Sequence, residues 1–442
     1  MGARRWVVAI LLVAVLLAGV SLAYLRGPGP LAFAGSQTVP LSAYRAGQPT
    51  GVPLELAPAD ALARGRYLTQ AADCQACHTP EGGAAFIGGR PFKTPFGTLY
   101  STNLTPDRDT GLGAWDEAQF LRALHEGVRP DGTHLYPAFP YAAYTALVDE
   151  DVRAIYAYLR SLAPVHHPVP ANELGFPFNQ RWLMGLWSAL FNPDRRFAPY
   201  PQRTPEWNRG AYLAEALGHC GECHTPRNVL QALNQRRKFA GALTNGWQAY
   251  NITTQPASGV GAWTDEELAQ YLATGHAAHH GTASGPMGEA VQMSLSHLTP
   301  GDVQALVTYL RSIPALSAPD LPAVRTEPAS AAPGPAAAGG QLGRDVFAGA
   351  CAGCHPWSGT SELWERASLL GARAVNDPSA VNVVQIVLHG FAPAGEGRDM
   401  PAFGADYSDE EIAAVANFVT ARFGARGAAL SAAEVARLRA RS

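Results

Sequence analysis

The sequence lacks an excess of either charge. It carries 33 lysines and arginines against 36 aspartates and glutamates, for a formal net charge of −3. This balance provides no broad basic face of the kind that phosphate backbones require, which excludes nucleic acid as a partner. Charged residues are scarce at 16%, whereas 45 glycines and 35 prolines predict many turns and tethers. The chain of 442 residues is still 47% hydrophobic, enough for cores in about three domains.

The sequence also lacks a dinucleotide-binding loop, a hydrolytic triad and any cysteine outside one motif. That Cys-x-x-Cys-His motif occurs three times, as Cys74-Gln-Ala-Cys77-His78, Cys220-Gly-Glu-Cys223-His224 and Cys351-Ala-Gly-Cys354-His355. Two thiols on one helical turn can form thioethers with the haem vinyl groups, and the adjacent histidine can then bind the iron. Zinc needs four converging ligands, a redox dithiol needs no trailing histidine, and disulfides would not repeat this pattern. The motifs predict three covalently bound haem c groups.

Thioether-bound haem implies an exported protein, and the N-terminus has the features of an export signal. A pair of arginines precedes an uncharged run from Trp6 to Leu25, which Arg26 ends. At about 1.5 Å per residue this run covers about 30 Å, the thickness of a hydrocarbon core. We expect residues 1–30 to form a retained membrane anchor, with a signal peptide cleaved near Ala23 as the alternative. In both cases the rest of the chain should lie on the periplasmic side of the inner membrane.

Two parts of the chain duplicate one another. The string Arg-Gly-x-Tyr-Leu begins at Arg64 before the first motif and at Arg209 before the second, and Thr-Pro follows both motifs. The helices predicted near Asp151 and Asp302 also match, each with its apolar residues on one face. A third, shorter unit ends in a helix that a Ser408 capping box should begin.

The repeats predict three helical haem domains joined by two different connections. The Pro/Ala-rich connection 314–340 should be a flexible or extended tether. The connection 164–205 is too apolar for a free tether and should pack against the domains, with a partner- or membrane-contacting surface as the alternative. The predicted domains and the C-terminal tail with a short helix are 55–163, 206–313, 341–425 and 426–442.

Methionine, a usual far-side ligand of high-potential haems, occurs only five times. Met400 lies in a loop before the last helix and is the candidate for the third haem. For the second haem, Met287 is preferred over Met293, because the duplicated unit has Phe139 at the place that corresponds to Met287.

The first haem therefore has no methionine available within its own unit, since none occurs between residues 2 and 183. It is either five-coordinate or bound on its far side by His134, His125 or the more distant Met184. Without a thioether ligand its potential should be the lowest of the three, which predicts electron flow from the first haem towards the others.

Three further stretches complete the pattern: Asn172-Glu-Leu-Gly-Phe-Pro-Phe178, Trp207-Asn-Arg-Gly-Ala-Tyr-Leu213 and Gly218-His-Cys-Gly-Glu-Cys-His-Thr-Pro-Arg227. From about Ala61 to Arg437 the chain resembles the three-haem cytochrome c subunit of membrane-bound bacterial dehydrogenases. The resemblance implies an all-α fold of three class I cytochrome c-like domains in tandem, after an N-terminal transmembrane or signal helix. It implies thioethers at all six cysteines, and the axial ligands His78, His224, Met287, His355 and Met400.

Proteins of this kind serve quinoprotein alcohol dehydrogenases, flavin-dependent sugar or gluconate dehydrogenases, and molybdenum hydroxylases of aldehydes or N-heterocycles. The resemblance implies an electron-transfer subunit, not itself an enzyme, that passes electrons from such a dehydrogenase to ubiquinone or a terminal oxidase. The departure at Phe139 is most similar to the partners of molybdenum hydroxylases. An open first haem leaves a peroxidase-like enzyme as the alternative function. A free soluble carrier fits the apolar N-terminus poorly.

Overall fold

The computed structural model describes residues 2–34, 39–40, 53, 56, 58–192, 194–318, 320–327, 340–392 and 399–441. Parts of the predicted tether, at 319 and 328–339, therefore lie outside the described residues. The α-helices are α1 Gly2–Arg26, α2 Ala61–Ala71, α3 Cys74–His78, α4 Glu117–Glu126, α5 Tyr141–Tyr144, α6 Asp149–Ser161, α7 Trp182–Phe191, α8 Pro205–Tyr212, α9 Gly221–His224, α10 Asp265–Thr274, α11 Gly285–Met293, α12 Pro300–Leu310, α13 Gly340–Val346, α14 Val381–His389, α15 Asp409–Phe423 and α16 Ala432–Arg441. Short π-helical turns follow α8 and α13, at Leu213–Leu217 and Phe347–Cys351.

Short strands accompany the helices, so the all-α expectation is incomplete. They are β1 Val39–Pro40, β2 Pro91–Thr94, β3 Gly97–Tyr100, β4 Glu173–Leu174, β5 Arg195–Arg196, β6 Ala242–Thr244, β7 Trp247–Ala249, β8 His276–Ala277 and β9 Gly281–Thr282. β2, β3 and β4 form one antiparallel sheet, and the other strands form the antiparallel pairs β1–β5, β6–β7 and β8–β9. Strands of two to four residues are too short for a visible alternation of apolar and polar positions, which explains why the sequence pattern missed them.

In each unit the helix before the motif crosses the last helix at a glycine. An added Cβ on that glycine would overlap a backbone carbonyl of the last helix, so no larger residue allows this close approach. The pairs, with the distance from the added Cβ to the carbonyl oxygen, are Gly65–Ala154 at 1.9 Å, Gly210–Ala305 at 1.9 Å and Gly343–Ala414 at 2.2 Å. The same helix crossing thus recurs three times along the chain.

The first two units share one hydrophobic core. A continuous cluster of buried side chains runs from Leu31 to Ile313 and includes helices of both units. The third unit has its own cluster, from Phe347 to Leu438. The arrangement is therefore a fused pair followed by a separate core, rather than three equivalent units in a row.

A buried carboxylate joins the second unit to the first. Asp302, at the start of α12, is 1% exposed and accepts a hydrogen bond from the Tyr67 hydroxyl of α2. Arg209 of its own unit donates to it at 2.7 and 2.5 Å. The Tyr67 oxygen also accepts from the backbone N–H of Thr299 at 3.2 Å. One side chain of the first unit thus binds both the carboxylate and the helix start of the second.

The reverse contact exists as well. Asp151 of α6 accepts from the Tyr212 hydroxyl of the second unit at 2.8 Å and lies 3.5 Å from Arg64 of its own unit. The Tyr212 oxygen accepts from the backbone N–H of Val148 at 3.1 Å. We call the six side chains of the two contacts the crossed latch: Arg64, Tyr67, Asp151, Arg209, Tyr212 and Asp302. Each unit thus contributes an arginine, a tyrosine and an aspartate to the contacts with the other.

The segment 164–205 packs against the first unit, as its apolar composition predicts. β4 pairs with β3, and the side-chain amide of Asn192 donates to the His125 carbonyl at 2.9 Å. Arg196 donates to Asp149 at 2.8 Å and to the Thr145 carbonyl at 3.0 Å. Trp182 of α7 nevertheless remains 66% exposed.

Residues 320–327, one described part of the predicted tether, are bound to the third unit. The Arg325 amide donates to the side chain of Asn376 at 2.8 Å, and its carbonyl accepts from the Gly371 amide at 2.8 Å. Its guanidinium donates to the Arg422 carbonyl at 3.3 Å. Composition alone predicted a flexible or extended tether for this stretch, but the backbone and the guanidinium of Arg325 bind it to the third unit.

Candidate haem-binding sites

All three motifs lie on helical turns that directly follow the glycine-bearing helices. The first motif forms α3, the second spans Cys220 and α9, and the third begins at the last residue of a π-helical turn, Cys351. In each pair the first cysteine is half-buried and the second is exposed, and none of the six forms a disulfide. Positions three apart on a helical turn share a face, so both thiols of a pair can reach one ligand.

The three motif histidines are held in the same way. Each Nδ1 donates to a backbone carbonyl, and burial lowers the pKa of each imidazole below its usual value. A neutral ring with a proton on Nδ1 has a free lone pair on Nε2, which is the form that binds a metal. The acceptors are Thr102 for His78 at 2.6 Å, Tyr250 for His224 at 2.6 Å and Ala367 for His355 at 2.7 Å.

The other interpretations of the motifs fit less well. Burial raises the pKa of Cys74 and of Cys220 to about 12, whereas a redox dithiol needs a lowered thiol pKa. In the part of the chain that the structure describes, no group of three or more His, Cys, Asp or Glu side chains is arranged to hold a metal ion. Paired thiols beside a neutral imidazole instead fit covalent haem c.

The first motif opens on a cleft of about 1490 Å³. Cys77 and His78 line one side, and the cleft continues to Cys223 of the second motif. The remaining wall is largely apolar, as a porphyrin site requires, and includes Leu99, Phe120, Leu124, Phe139 and Leu159. The first two motifs therefore face one shared cleft.

The backbone register places Phe139 where the second unit has Met287. Leu135 and Ala283 lie four residues before Phe139 and Met287. Their backbone amides each donate a hydrogen bond of 2.7 Å to the carbonyl of a glycine, Gly127 at the end of α4 or Gly275 at the end of α10. Met287 lies in the first turn of α11, and the alternative, Met293, ends that helix. The correspondence inferred from the duplicated sequence thus holds at this hydrogen bond, although Phe139 lies in a bend and Met287 in a helix.

Met400 lies next to the end of α14. It exchanges backbone hydrogen bonds with Phe391 at 2.8 and 2.9 Å, and an added Cβ on Gly390 would lie 2.5 Å from its carbonyl oxygen. This bridge holds Met400 in a loop between the two core helices α14 and α15, which is where the sequence pattern placed it.

Of the three far-side candidates for the first haem, one lines the cleft. Met184 of α7 does so together with Phe139. His134 instead packs against Gly185, where an added Cβ would lie 3.1 Å from its Nε2. His125 is 2% exposed, and its Nδ1 lies 2.6 Å from the Arg196 guanidinium, away from the cleft.

The buried His125 should make the fold sensitive to acid. Burial and the positive charge of Arg196 lower the pKa of His125 to about 3, against the opposing effect of Asp149. Between about pH 3 and pH 6.5 the unfolded chain binds this proton and the folded chain does not, so stability is present above about 6.5 and is lost as the pH falls. We expect a loss of about 2 kcal/mol from this group between about pH 6.5 and pH 5.

Urea unfolding at these two pH values measures the effect. His125→Asn should lose less stability on acidification than the unsubstituted protein. His166→Asn is the matched control, because that side chain is 61% exposed. Equal acid losses in all three proteins would contradict the assignment to His125.

The first motif also contacts the helix that carries Met287, α11. The Arg90 guanidinium donates to the Ala76 carbonyl inside the motif and to Glu289 of α11 at 2.9 Å. The rings of Tyr144 of the first unit and His219 of the second lie 5.5 Å apart, centroid to centroid. The first and second sites are therefore bound together by direct side-chain contacts.

The second site is connected to the third unit through the β6–β7 hairpin. Gln248 and Asn382 exchange two hydrogen bonds, at 2.8 and 2.9 Å. The Tyr250 hydroxyl donates to Asp377 at 3.3 Å, while its carbonyl holds His224. The segment that orients the second histidine thus also contacts the third unit.

Two known families match parts of the chain. The family described as cytochrome c matches residues 62–163. The family described as cytochrome C oxidase, cbb3-type, subunit III matches residues 338–419. The first match contains one Cys-x-x-Cys-His motif, and the second contains another.

Several curated proteins are similar over most of the chain. A nicotinate dehydrogenase subunit of Pseudomonas putida is 42% identical over 85% of the chain, but the chain spans only 32% of that protein. The fructose dehydrogenase cytochrome subunit of Gluconobacter japonicus is 39% identical, and the match covers 88% of this chain and 85% of that protein. The gluconate 2-dehydrogenase cytochrome c subunit of Pantoea cypripedii is 37% identical, and the match covers 86% of this chain and 90% of that protein.

Proposed function

The chain belongs to the cytochrome c subunits of dehydrogenases, and we propose that it relays electrons from a dehydrogenase catalytic subunit to ubiquinone or a terminal oxidase. It is an electron-transfer subunit and not the catalytic subunit of its complex. We place it at the inner membrane with its bulk in the periplasm, because Arg5–Arg26 is long and apolar enough to cross a bilayer.

We propose three covalent haem c groups, in domains at 55–163, 206–313 and 341–425. The helix crossing at Gly65, repeated in the other two units, supports this count. A bound haem c supplies an iron that accepts and releases one electron at a time. The residues proposed to hold the groups are Cys74, Cys77 and His78; Cys220, Cys223, His224 and Met287; and Cys351, Cys354, His355 and Met400.

The protein's own part is to orient, shield and connect these sites. Carbonyl acceptors on Nδ1 orient the three imidazoles and keep them neutral. Apolar walls exclude water, which raises the energetic cost of any charge at the iron. The observation that carries the proposal is continuity: Cys77 and Cys223 line one cleft, and Tyr250 contacts both His224 and the third unit.

We propose that electrons pass from the first site towards the other two. Phe139 supplies no ligand where the second site has Met287, and loss of a thioether ligand lowers a haem potential. Met184 lines the first cleft, so it is the far-side residue to test against a five-coordinate site. A redox titration in which the first site proved the most positive would refute this order.

For the partner we favour a molybdenum hydroxylase over a flavoprotein or quinoprotein. Nicotinate, named in the similar Pseudomonas putida protein, is an N-heterocycle, and such compounds are substrates of that enzyme class. The fructose, gluconate and alcohol dehydrogenase relatives keep the other two classes open. Co-purification with the catalytic subunit would identify the class directly from its cofactor.

Removing one pair of thiols tests the proposed function. In a host that matures c-type cytochromes, Cys351→Ala with Cys354→Ala should lower the haem-to-protein ratio from three to two. We expect electron transfer to a soluble ubiquinone analogue to fall sharply while the remaining two sites are still reduced. Haem assay and stopped-flow spectroscopy measure both effects.

The control for this experiment is Ser358→Ala, a substitution in the same unit that removes no thiol. An unchanged haem ratio in the double variant would contradict the third site. Loss of one haem per protein with undiminished quinone reduction would contradict the place of the third site in the relay.

A further inference from the structure

The apolar helix α1 ends against α7. No part of the Arg5–Arg26 stretch is buried, and no charged residue lies between its two arginines. At its end the Arg26 guanidinium donates to the carbonyls of Ala189 and Leu190 at 3.2 and 2.9 Å. The Asn228 side chain donates to the Leu25 carbonyl at 3.0 Å. The end of the proposed membrane anchor is therefore held beside α7 and the loop after the second motif.

α7 is apolar on two faces, and only one of them is covered. Its ten residues, Trp-Leu-Met-Gly-Leu-Trp-Ser-Ala-Leu-Phe, include no charge. Met184 and Trp187 line the first cleft. On the other side, Trp182 is 66% exposed and Leu186 is 58% exposed, four positions apart on one face. A helix with this uncovered face needs another apolar surface.

The loop after the second motif adds two exposed apolar side chains, which also line the first cleft. Val229 is 83% exposed and Leu230 is 42% exposed. The Trp187 indole N–H donates to the Leu230 carbonyl at 2.8 Å, which fastens the loop to α7. We call Trp182, Leu186, Val229 and Leu230 the apolar ledge.

We infer that the apolar ledge lies in the membrane surface, in contact with the lipids of the leaflet from which α1 emerges. The inference rests on the proposed membrane anchor and is independent of electron transfer. An arginine is costly inside hydrocarbon, so Arg26 marks the level of the headgroups. Because Arg26 is bound to α7, the ledge lies at that same level.

The composition around the ledge matches an interfacial position. Tryptophan is enriched at the boundary between lipid and water, and apolar helix faces bind there. The exposed Arg236 lies over the ring of Tyr24 in α1, 4.8 Å from its centroid, and Arg237 beside it is also exposed. Both can contact anionic headgroups near the end of the anchor. The first cleft, lined by the inner face of α7, would then open close to the membrane.

Spin labels at single introduced cysteines test the inference in the full-length holoprotein. The native thiols are consumed by thioethers in the proposed form, and the unsubstituted holoprotein serves as the labelling blank. Leu186→Cys and Val229→Cys report the ledge in vesicles of phosphatidylethanolamine, phosphatidylglycerol and cardiolipin. Leu363→Cys, 83% exposed in the third unit, is the aqueous control, and Val13→Cys reports the anchor.

Collision with oxygen, which concentrates in lipid, and with a water-soluble nickel chelate distinguishes the outcomes. We expect oxygen to dominate at positions 13, 186 and 229, and nickel to dominate at 363. A lipid-exposed label at 13 with nickel-accessible labels at 186 and 229 would overturn the inference and leave the anchor intact. Labels at 186 and 229 shielded from both reagents would show a protein partner there and also overturn it. Nickel dominance at position 13 would remove the anchor and the inference together.

Discussion

Replacing Phe139 with methionine should raise the reduction potential of the first haem site by roughly 100 mV or more, because axial ligands move haem potentials over about 0.8 V. Position 139 lies in the first cleft and matches Met287 in backbone register. We therefore expect a thioether at position 139 to reach the first haem as we propose that Met287 reaches the second. Spectroelectrochemical titration of the holoprotein measures the shift, and the long-wavelength absorption band of methionine-ligated ferric haem provides an independent readout.

The duplicated unit supplies the matched control. Met287→Phe should lower the second site's potential by a similar amount and remove one methionine-ligated signal. Met184→Leu separates the two alternatives for the first site, since it alters that site's spectrum only where the Met184 thioether binds the iron. Phe139→Met could leave the reduction potential of the first site unchanged while Met287→Phe lowers that of the second. That result would show that the shared backbone register does not give both positions the same role as iron ligands.

The local features of the sites were predictable from the sequence because they depend on short spacings. The Cys-x-x-Cys-His motifs specify one helical turn each, and the Ser408 capping box begins α15 as predicted. The correspondence of Phe139 with Met287 also follows from the duplication alone. Each of these features needs only residues that are close in sequence, or a comparison of one repeat with another.

Features that join distant parts of the chain were not predictable. The acceptors of the three imidazoles are backbone carbonyls, such as that of Thr102, which carry no side-chain signal. Residues 320–327 look like a flexible or extended tether, yet Arg325 binds them to the third unit. The repeated strings do contain Tyr67 and Tyr212, but a repeat cannot show that each tyrosine binds the carboxylate of the other unit. That crossing also explains why the first two units share a core.

Removing the Asp302 carboxylate should therefore destabilise the fused pair strongly. Asp302→Ala leaves the largely buried Arg209 guanidinium, 13% exposed, and the Tyr67 hydroxyl without their shared acceptor. Breaking a buried ion pair by deleting one partner costs about 3–5 kcal/mol, because the remaining charge stays desolvated. Denaturant unfolding of the holoprotein, followed by tryptophan fluorescence and by the haem absorption of each unit, measures the loss.

A surface ion pair in the same unit separates this effect from the mere loss of a charge. Asp265 is paired with Arg311 at 2.7 Å but its side chain is 55% exposed, so Asp265→Ala should cost less than about 1 kcal/mol. A double-mutant cycle of Tyr67→Phe and Asp302→Asn isolates the contact between the units, with an expected coupling of about 0.5–3 kcal/mol. Additive losses in that cycle would mean that the two units are held together by their common apolar core alone, and that the crossed latch only orients them.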